Sequence, residues 1–503
     1  MNQPVRQTRE LAEGTVSAAE TPRLSPRELR AILGSLMLVM FLAALDQTIV
    51  ATALPTISHQ FLDVSNLSWV ITAYLVSSTA MAPVFGTLSD IYGRRVMMAT
   101  AIGLFVAGSI LCALAPNLLV LILARTLQGL GGGGIMPVVQ TVVADVITPR
   151  ERGAYQSYFS AVWACAGIGG PILGGVMTEY LHWSVIFWIN VPLGLGAAAV
   201  LLPAMRTLPH HHRRRRLDWA GGLLLMSSAI VVLLVLTWGG VRFAWLSPEI
   251  LAMLGAAVVL AATFVWHALR SPEPFLPLPL LGGPVVPYAM SLGALAIGSI
   301  VGLTVYLPMY YEVVYALSVS QAGISLIPLV AISVGGATLA GRAMVRLRHY
   351  TWVAISGQAI AAVLFAVLAF ATPLPLWLFL TLLSFGALGL GTAFPTSTVA
   401  IQNAVARHQV GTATGAANFF RSLMASFVVA AFTAILLAVL GARLSITGHG
   451  IDIAQDVPVA DTIAAFRAIF AAAAVLMGCA MIAAILLEER PLVGPPQTGD
   501  LGE

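Results

Sequence analysis

Two ionisable residues stand inside stretches that are otherwise apolar or small. Asp46 lies in AALDQTIVATALP, and Arg125 lies in LILARTLQGLGGGG with Gln128 about one helical turn later. Insertion scales put a carboxylate at the middle of a lipid-embedded helix at a cost of about 2.5 to 3.5 kcal/mol, so its presence calls for a partner and a task. Reversible protonation is the chemistry open to it: an acid that takes up or releases a proton while Arg125 and Gln128 set its state. The competing reading is a static buried ion pair that only ties two helices together. Further candidates are Glu312 in YLPMYYEVVY, Asn190 in FWINVPLG, and Asn418 and Arg421 in TATGAANFFRSLMASF. Tyr306 and Tyr310 share a helix face at i, i+4 and are expected to form a stacking wall for lipophilic cations, the alternative being ordinary packing. Tyr155, Tyr158, Phe159, Phe419 and Phe420 are read with them. Glu312 is either a solvated carboxylate at the rim or a second acidic contact for cationic cargo.

The elements that must position these residues are membrane helices. Of the 503 residues, 59% are hydrophobic and 9% charged, against roughly a quarter charged in soluble domains, so lipid is the solvent for most of the surface. A span needs about 20 predominantly apolar residues, and fourteen stretches qualify: 31–54, 68–88, 96–115, 118–146, 155–178, 184–202, 219–238, 248–268, 285–311, 322–344, 351–371, 376–401, 411–441 and 462–487. Ser25, Pro26 and Glu28 form a capping box with proline at the first helical position, which suggests a short helical lead on the membrane surface. The first span runs outward and ends near Leu54, and the fourth runs inward from Asn117. At 1.5 Å per residue Asp46 and Arg125 each lie about 12 Å below the outer surface. The matching depths predict that both line one central cavity.

Charge sets the orientation. All 25 basic residues are arginines, and twenty of them fall on one side of the predicted spans against three, Arg242, Arg443 and Arg467, on the other. By the positive-inside rule both termini are cytoplasmic. The absence of lysine removes a Walker A loop and Schiff-base catalysis, which argues against an ATP-driven pump on this chain alone. The run His210 to Arg216 reads as an anchor at anionic headgroups rather than a nucleic-acid or metal site. No histidine falls in the middle of a span and there is no HExxH, which argues against an intramembrane enzyme. Cys112, Cys165 and Cys479 lie in apolar stretches without metal-ligand spacing and read as packing residues. No metal or cofactor is expected.

Between these elements run glycine-rich segments. GTLSDIYGRR holds Gly86, Asp90, Gly93, Arg94 and Arg95, a latch between helices. Gly129 and Gly131 to Gly134 clear space along the fourth span for another backbone, and GIGGPILGGV places Gly170, Pro171, Gly174 and Gly175 at small-xxx-small spacing around a bend. In this order and spacing LDQTIVATALP, GTLSDIYGRR, LILARTLQGLGGGG and GGPILGG resemble motifs D1, A, B and C of the major facilitator superfamily, in its fourteen-helix drug:proton antiporter branch (EmrB/QacA-like). The resemblance covers nearly the whole span region and is strongest over residues 41–192.

That resemblance implies an all-α polytopic membrane protein with the major facilitator fold, fourteen transmembrane helices in a 6+2+6 arrangement. The corresponding domains are a cytoplasmic tail 1–30, a six-helix bundle 31–203, a basic linker 204–218, two additional helices and linker 219–284, a second six-helix bundle 285–487 and a tail 488–503. It implies Asp46 as proton site, Arg125 with Gln128 as its coupling partners, the Asp90 segment as gate and Gly170 to Gly175 as the antiporter motif. The substrate cavity is expected to include Tyr306, Tyr310, Glu312, Asn190, Asn418 and Arg421. The expected activity is export of amphipathic, often cationic, drugs or toxic compounds in exchange for protons by alternating access. A facilitator for a lipid, siderophore or metabolite on the same scaffold is the alternative. Expected partners are the bilayer, protons, a small amphipathic substrate and, by analogy with relatives in double-membrane bacteria, a periplasmic adaptor with an outer-membrane channel; nucleic acid is not. The expected location is the bacterial inner membrane. The loop Ala442 to Asp461, with Asp452, Asp456 and Asp461, is the longest outer segment and the place for an adaptor to dock. Three departures stand out: Ile91 replaces a common basic residue in motif A, so the latch is expected to rest on fewer ion pairs; Glu312 stands where relatives often carry Gln; and no glycine pair follows Arg421.

Overall fold

A computed structural model describes residues 25–61, 66–207, 217–440, 444–447, 450–453 and 458–492. Fourteen helices are long and apolar enough to cross a membrane: α1 Pro26–Phe61, α2 Trp69–Tyr92, α3 Arg94–Ala113, α4 Leu118–Val146, α5 Pro149–Tyr180, α6 Val185–Ala204, α7 Trp219–Trp238, α8 Pro248–Arg270, α9 Val286–Tyr315, α10 Ser320–Arg346, α11 Thr351–Ala371, α12 Leu376–Ala404, α13 Arg407–Leu440 and α14 Val459–Leu486. Local signals start several of them. Asn117 accepts from Val120 N–H, Asp218 from Gly221 N–H and Ser247 from Ile250 N–H, each satisfying an orphan donor at a helix start. The Ser25–Glu28 box is formed, but there is no separate surface lead, because α1 runs unbroken from Pro26 to Phe61. The run His210 to Arg216 lies outside the described residues.

Helices α1 to α6 pack on one another around Phe85, Phe105 and Phe159. Helices α9 to α14 do the same around Tyr310, Phe379 and Phe466, so the two bundles own separate cores. The inserted pair α7–α8 lies against α2 and α13, with Trp238 edge-on to Trp69 at 5.5 Å. Its outer helix turns Val258, Val259 and Trp266 outward, where lipid is the natural neighbour. The loop between α13 and α14 holds a two-stranded hairpin, β1 Leu444–Thr447 paired antiparallel with β2 Gly450–Ile453; Asp456 lies outside the described residues.

The bundles meet along two seams, α2 with α13 and α5 with α10, both near the end that carries most of the arginines. Small residues permit this. A methyl group on Gly86 would overlap the carbonyl of Gly411, and one on Gly153 would overlap Met344. Farther along α5, Gly167, Gly169 and Gly175 have nothing facing them within 4 Å. The arginine-rich end is therefore closed.

Candidate functional site: a buried charge network and an interbundle latch

Asp46 and Arg125 meet inside the N-terminal bundle. Arg125 Nη1 donates to Asp46 Oδ2 at 2.6 Å, and its Nε donates to the Val70 carbonyl at 3.1 Å. The other carboxylate oxygen accepts from Gln128 Nε2 at 2.8 Å and from Asn190 Nδ2 at 2.9 Å. Gln128 ties the set together, accepting from Arg125 at 2.7 Å and donating to Ser109 at 2.7 Å, while the thiol of Cys112 lies 3.6 Å from its Oε1. The guanidinium also lies over the Tyr74 ring, 4.2 Å from its centroid. Four helices, α1, α3, α4 and α6, supply the polar side chains, and α2 supplies the carbonyl and the ring.

Helical rise alone put the two charges at one depth, and in the structure they touch. The expectation that they line a central cavity is corrected: Asp46 is 0% and Arg125 1% exposed. The reason is geometric, since the carboxylate faces α3, α4 and α6 of its own bundle rather than the second bundle. The arrangement stores a definite chemical tension. A carboxylate with three donors and a guanidinium with one acid neutralise each other in a low dielectric, and protonating the acid leaves a buried cation without its counter-charge.

The latch is the second device. Asp90 Oδ1 accepts from Gly411 N–H at 3.0 Å, and Oδ2 accepts from Thr412 N–H at 2.7 Å and the Thr412 hydroxyl at 2.9 Å. A side chain of one bundle thus satisfies backbone donors in the first turns of a helix in the other, where the helix dipole also favours an anion. Arg94 holds that carboxylate from behind at 2.5 Å and pairs with Asp145 on α4 at 3.0 Å. Gly93, at φ 90°, makes the turn that brings Arg94 under Asp90. Arg95 is not part of the latch; it donates to the Leu202 carbonyl near the end of α6. Ile91 adds no charge, and Asp145 supplies the latch with its second ion pair.

The glycines of α5 divide by face. Gly170 and Gly174 pack on Thr48, Ile49 and Thr52 of α1, where Thr48 donates to the Ala166 carbonyl, while Pro171 is exposed and Gly175 faces open space. On α4, Gly129 and Gly132 to Gly134 press on α2 and Gly131 on α3.

The expected substrate cavity is largely rearranged. Tyr306 and Tyr310 do not form a wall facing cargo. The Tyr306 hydroxyl pairs with Thr433 at 2.5 Å, and Tyr310 stacks on Phe379 at 5.0 Å and against Phe466 at 4.8 Å. Their shared face is the packing surface of α9 inside the second bundle, which is what an i, i+4 aromatic pair most often provides. Asn190 belongs to the Asp46 network instead of the cavity. Glu312 is partly exposed near the outer end of α9 and makes no hydrogen bond or ion pair among the described residues. Asn418 and Arg421 do lie near the boundary between bundles, with Asn418 Nδ2 donating to Gln140 Oε1 of α4 at 2.8 Å. Cys165 and Cys479 are exposed rather than packed inside. Sequence reasoning passed over Ser109, Tyr74, Asp145, Gln140 and Thr412; polar residues inside spans are the signal that could have found all five. No group of residues suited to a metal ion occurs among the described residues.

Comparison with known proteins agrees with this architecture. Residues 36–429 match the Major Facilitator Superfamily. An uncharacterized MFS-type transporter of Mycobacterium tuberculosis is 32% identical over 436 residues, 86% of this chain; the chain spans 63% of that relative's length. The multidrug transporter protein MdtP of Bacillus subtilis is 28% identical over 88% of this chain and 80% of its own. The multidrug resistance protein fnx1 of Schizosaccharomyces pombe is 31% identical over 78% of this chain and 76% of its own. Among solved structures, the human organic anion transporter MFSD10 (TETRAN) superposes with a TM-score of 0.63 at 15% identity, covering 92% of this chain and all of that one. That likeness speaks for the fold alone. With motifs A to C in place, two bundles closed by a latch and a family match across most of its length, this chain belongs to the major facilitator superfamily.

Proposed function

We propose that this transporter is a proton-coupled antiporter that exports amphipathic compounds by alternating access across a bacterial cytoplasmic membrane, with both termini inside. The observation that carries the reading is the Asp46–Arg125–Gln128–Asn190 network, a titratable acid sealed in the core of one bundle with one guanidinium as its counter-charge. Protonation of Asp46 releases Arg125, and a released buried cation favours any arrangement that brings water or another anion to it. Proton uptake and bundle arrangement are coupled in this way. Because the acid is sealed while the arginine-rich end is closed, proton exchange belongs to a second arrangement, which opening of the Asp90 latch provides. The names of MdtP and fnx1 support drug-like cargo. The aromatic wall that favoured cations is absent, so cationic charge is not part of the reading.

The test is transport of two amphipathic dyes, cationic ethidium and anionic dansyl-leucine, in proteoliposomes with and without a proton gradient, for the wild type and Asp46→Asn; gradient-driven movement of either counts as export. Gradient-driven uptake by the wild type and its loss in a folded Asp46→Asn protein are expected. Unchanged coupled transport by Asp46→Asn would leave the network as a structural ion pair. Gradient-independent movement of a lipid or metabolite, with no dye transport, would favour a facilitator.

A further inference from the structure

Another guanidinium buried among the membrane helices lacks, among the described residues, the counter-charge that Arg125 has. Arg421 on α13 is 4% exposed, and no carboxylate lies within ion-pair distance of it among the described residues. Its Nη2 donates to the hydroxyls of Ser397 at 2.9 Å and Thr398 at 2.7 Å, both on α12. Its Nη1 reaches Asn418 Oδ1 at only 3.5 Å, and Nε is buried with no acceptor. The ring of Phe394, 4.8 Å away, is the remaining contact that offsets its charge. Hydroxyl dipoles and one aromatic face orient a guanidinium but leave its net charge in place, and a cation at that depth is costly to retain without a use.

The surroundings share the shortfall. Gln140 Nε2 on α4 and Gln402 Oε1 on α12 are buried without hydrogen-bond partners, and Gln140 is bonded across the bundle boundary to Asn418. Phe394 packs against the core of the N-terminal bundle, so Arg421 sits just behind the surface along which the bundles part. On the other flank Gly293 of α9 carries no side chain, and a methyl group there would stand 3.1 Å from Nε. A planar fork with unused donors, held in place by fixed hydroxyls at a surface that opens, matches the geometry of a carboxylate, sulfonate or phosphate oxygen pair.

We infer that Arg421, flanked by Asn418 and Gln140, receives an anionic oxygen group of the transported molecule. The cargo is accordingly an amphiphile that carries an acidic group, alone or as half of a zwitterion. This rests on the exporter reading and narrows it. Opening the arginine-rich end parts Asn418 from Gln140 and exposes the guanidinium to cargo arriving from that side.

The test compares dansyl-leucine with its methyl ester, which share a fluorophore and an apolar body and differ by one charge, binding to the full chain in nanodiscs. The wild type is expected to bind the acid at least tenfold more tightly than the ester. Arg421→Gln should erase that preference while leaving ester binding within twofold, and Arg421→Lys, which keeps the charge but not the fork, should keep part of it. Thermal melting checks that each variant is folded; if Arg421→Gln is not, an acid-to-ester ratio unchanged in Arg421→Lys overturns the inference. Equal loss of both ligands in Arg421→Gln assigns the residue to structure and overturns it too. So does stabilisation of the wild type by chloride or phosphate, lost in Arg421→Gln, with acid and ester bound alike, which marks a site for free inorganic anions. A wild type without acid preference that still transports ethidium overturns this inference alone, whereas absence of gradient-driven transport of both ethidium and dansyl-leucine overturns the exporter reading.

Discussion

Asp46 accepts three hydrogen bonds at a point with no exposed surface, and removing its charge leaves the buried Arg125 without the carboxylate it pairs with. Breaking a buried pair from one side typically costs about 3–5 kcal/mol, because the remaining charge is left uncompensated. Asp46→Asn and Arg125→Gln are each expected to lower stability on that scale. The double variant is expected to lose clearly less than the sum, a difference that thermal melting of the four proteins in one detergent measures. Strict additivity would show that the two charges do not act as a unit. The pair was legible from residue type and helical rise, since charge inside an apolar run is rare and depth follows from counting. Asn190 was recognised as polar and embedded, yet its partner was not, because nothing along the chain says which way α6 turns its face.

Among the helices, α2 and α13 form the seam that the proposed gate would open. Asp90 joins them through two backbone N–H groups, and Gly86 lets them approach. Asp90→Ala leaves the donors of Gly411 and Thr412 without acceptors in a buried seam, a penalty of about 1–3 kcal/mol, which is a shift of roughly 5- to 150-fold toward the open arrangement. Gly86→Val removes the close approach itself and should shift the balance further. Spin labels on Tyr92→Cys and Arg346→Cys, in a chain freed of its native cysteines, read the distance between bundles at this end. Both variants should lengthen it, and an unchanged distribution would remove the gating role. The inserted pair is held at its base by Asp218, which accepts from Gly221 N–H at 2.9 Å and Phe275 N–H at 3.0 Å and pairs with His267 at 2.7 Å. Burial pushes the Asp218 carboxyl up, but these hydrogen bonds outweigh it and hold the group below the usual carboxylate range. A depressed acid contributes stability above its unfolded pKa and loses it as pH falls through the folded one. Asp218→Ala is therefore expected to lower the melting temperature at neutral pH and to narrow the gap to the wild type below about pH 4.

For the molecule as a whole, the clustering of arginines at the closed end gives a topology that labelling checks directly. A cysteine placed at Arg242 should react with an impermeant maleimide in intact spheroplasts, and one at Arg348 should react only after lysis. The reverse pattern would invert the assignment of inside and outside while leaving the fold untouched.

Hydropathy, helical rise and charge inside lipid are properties of short segments, so the fourteen helices, their approximate ends, the embedded positions of Asp46 and Arg125 and the glycine-bearing motifs can be read along the chain. Only the tertiary structure decided which faces meet. It sealed Asp46 within one bundle, turned Tyr306 and Tyr310 into a core, set Asp90 on the first turns of α13 and left Arg421 without an acid partner among the described residues. The physical reason is that the rotation of a helix about its axis, and the neighbour it presents to each face, follow from packing among all the helices and are carried by no single stretch of chain.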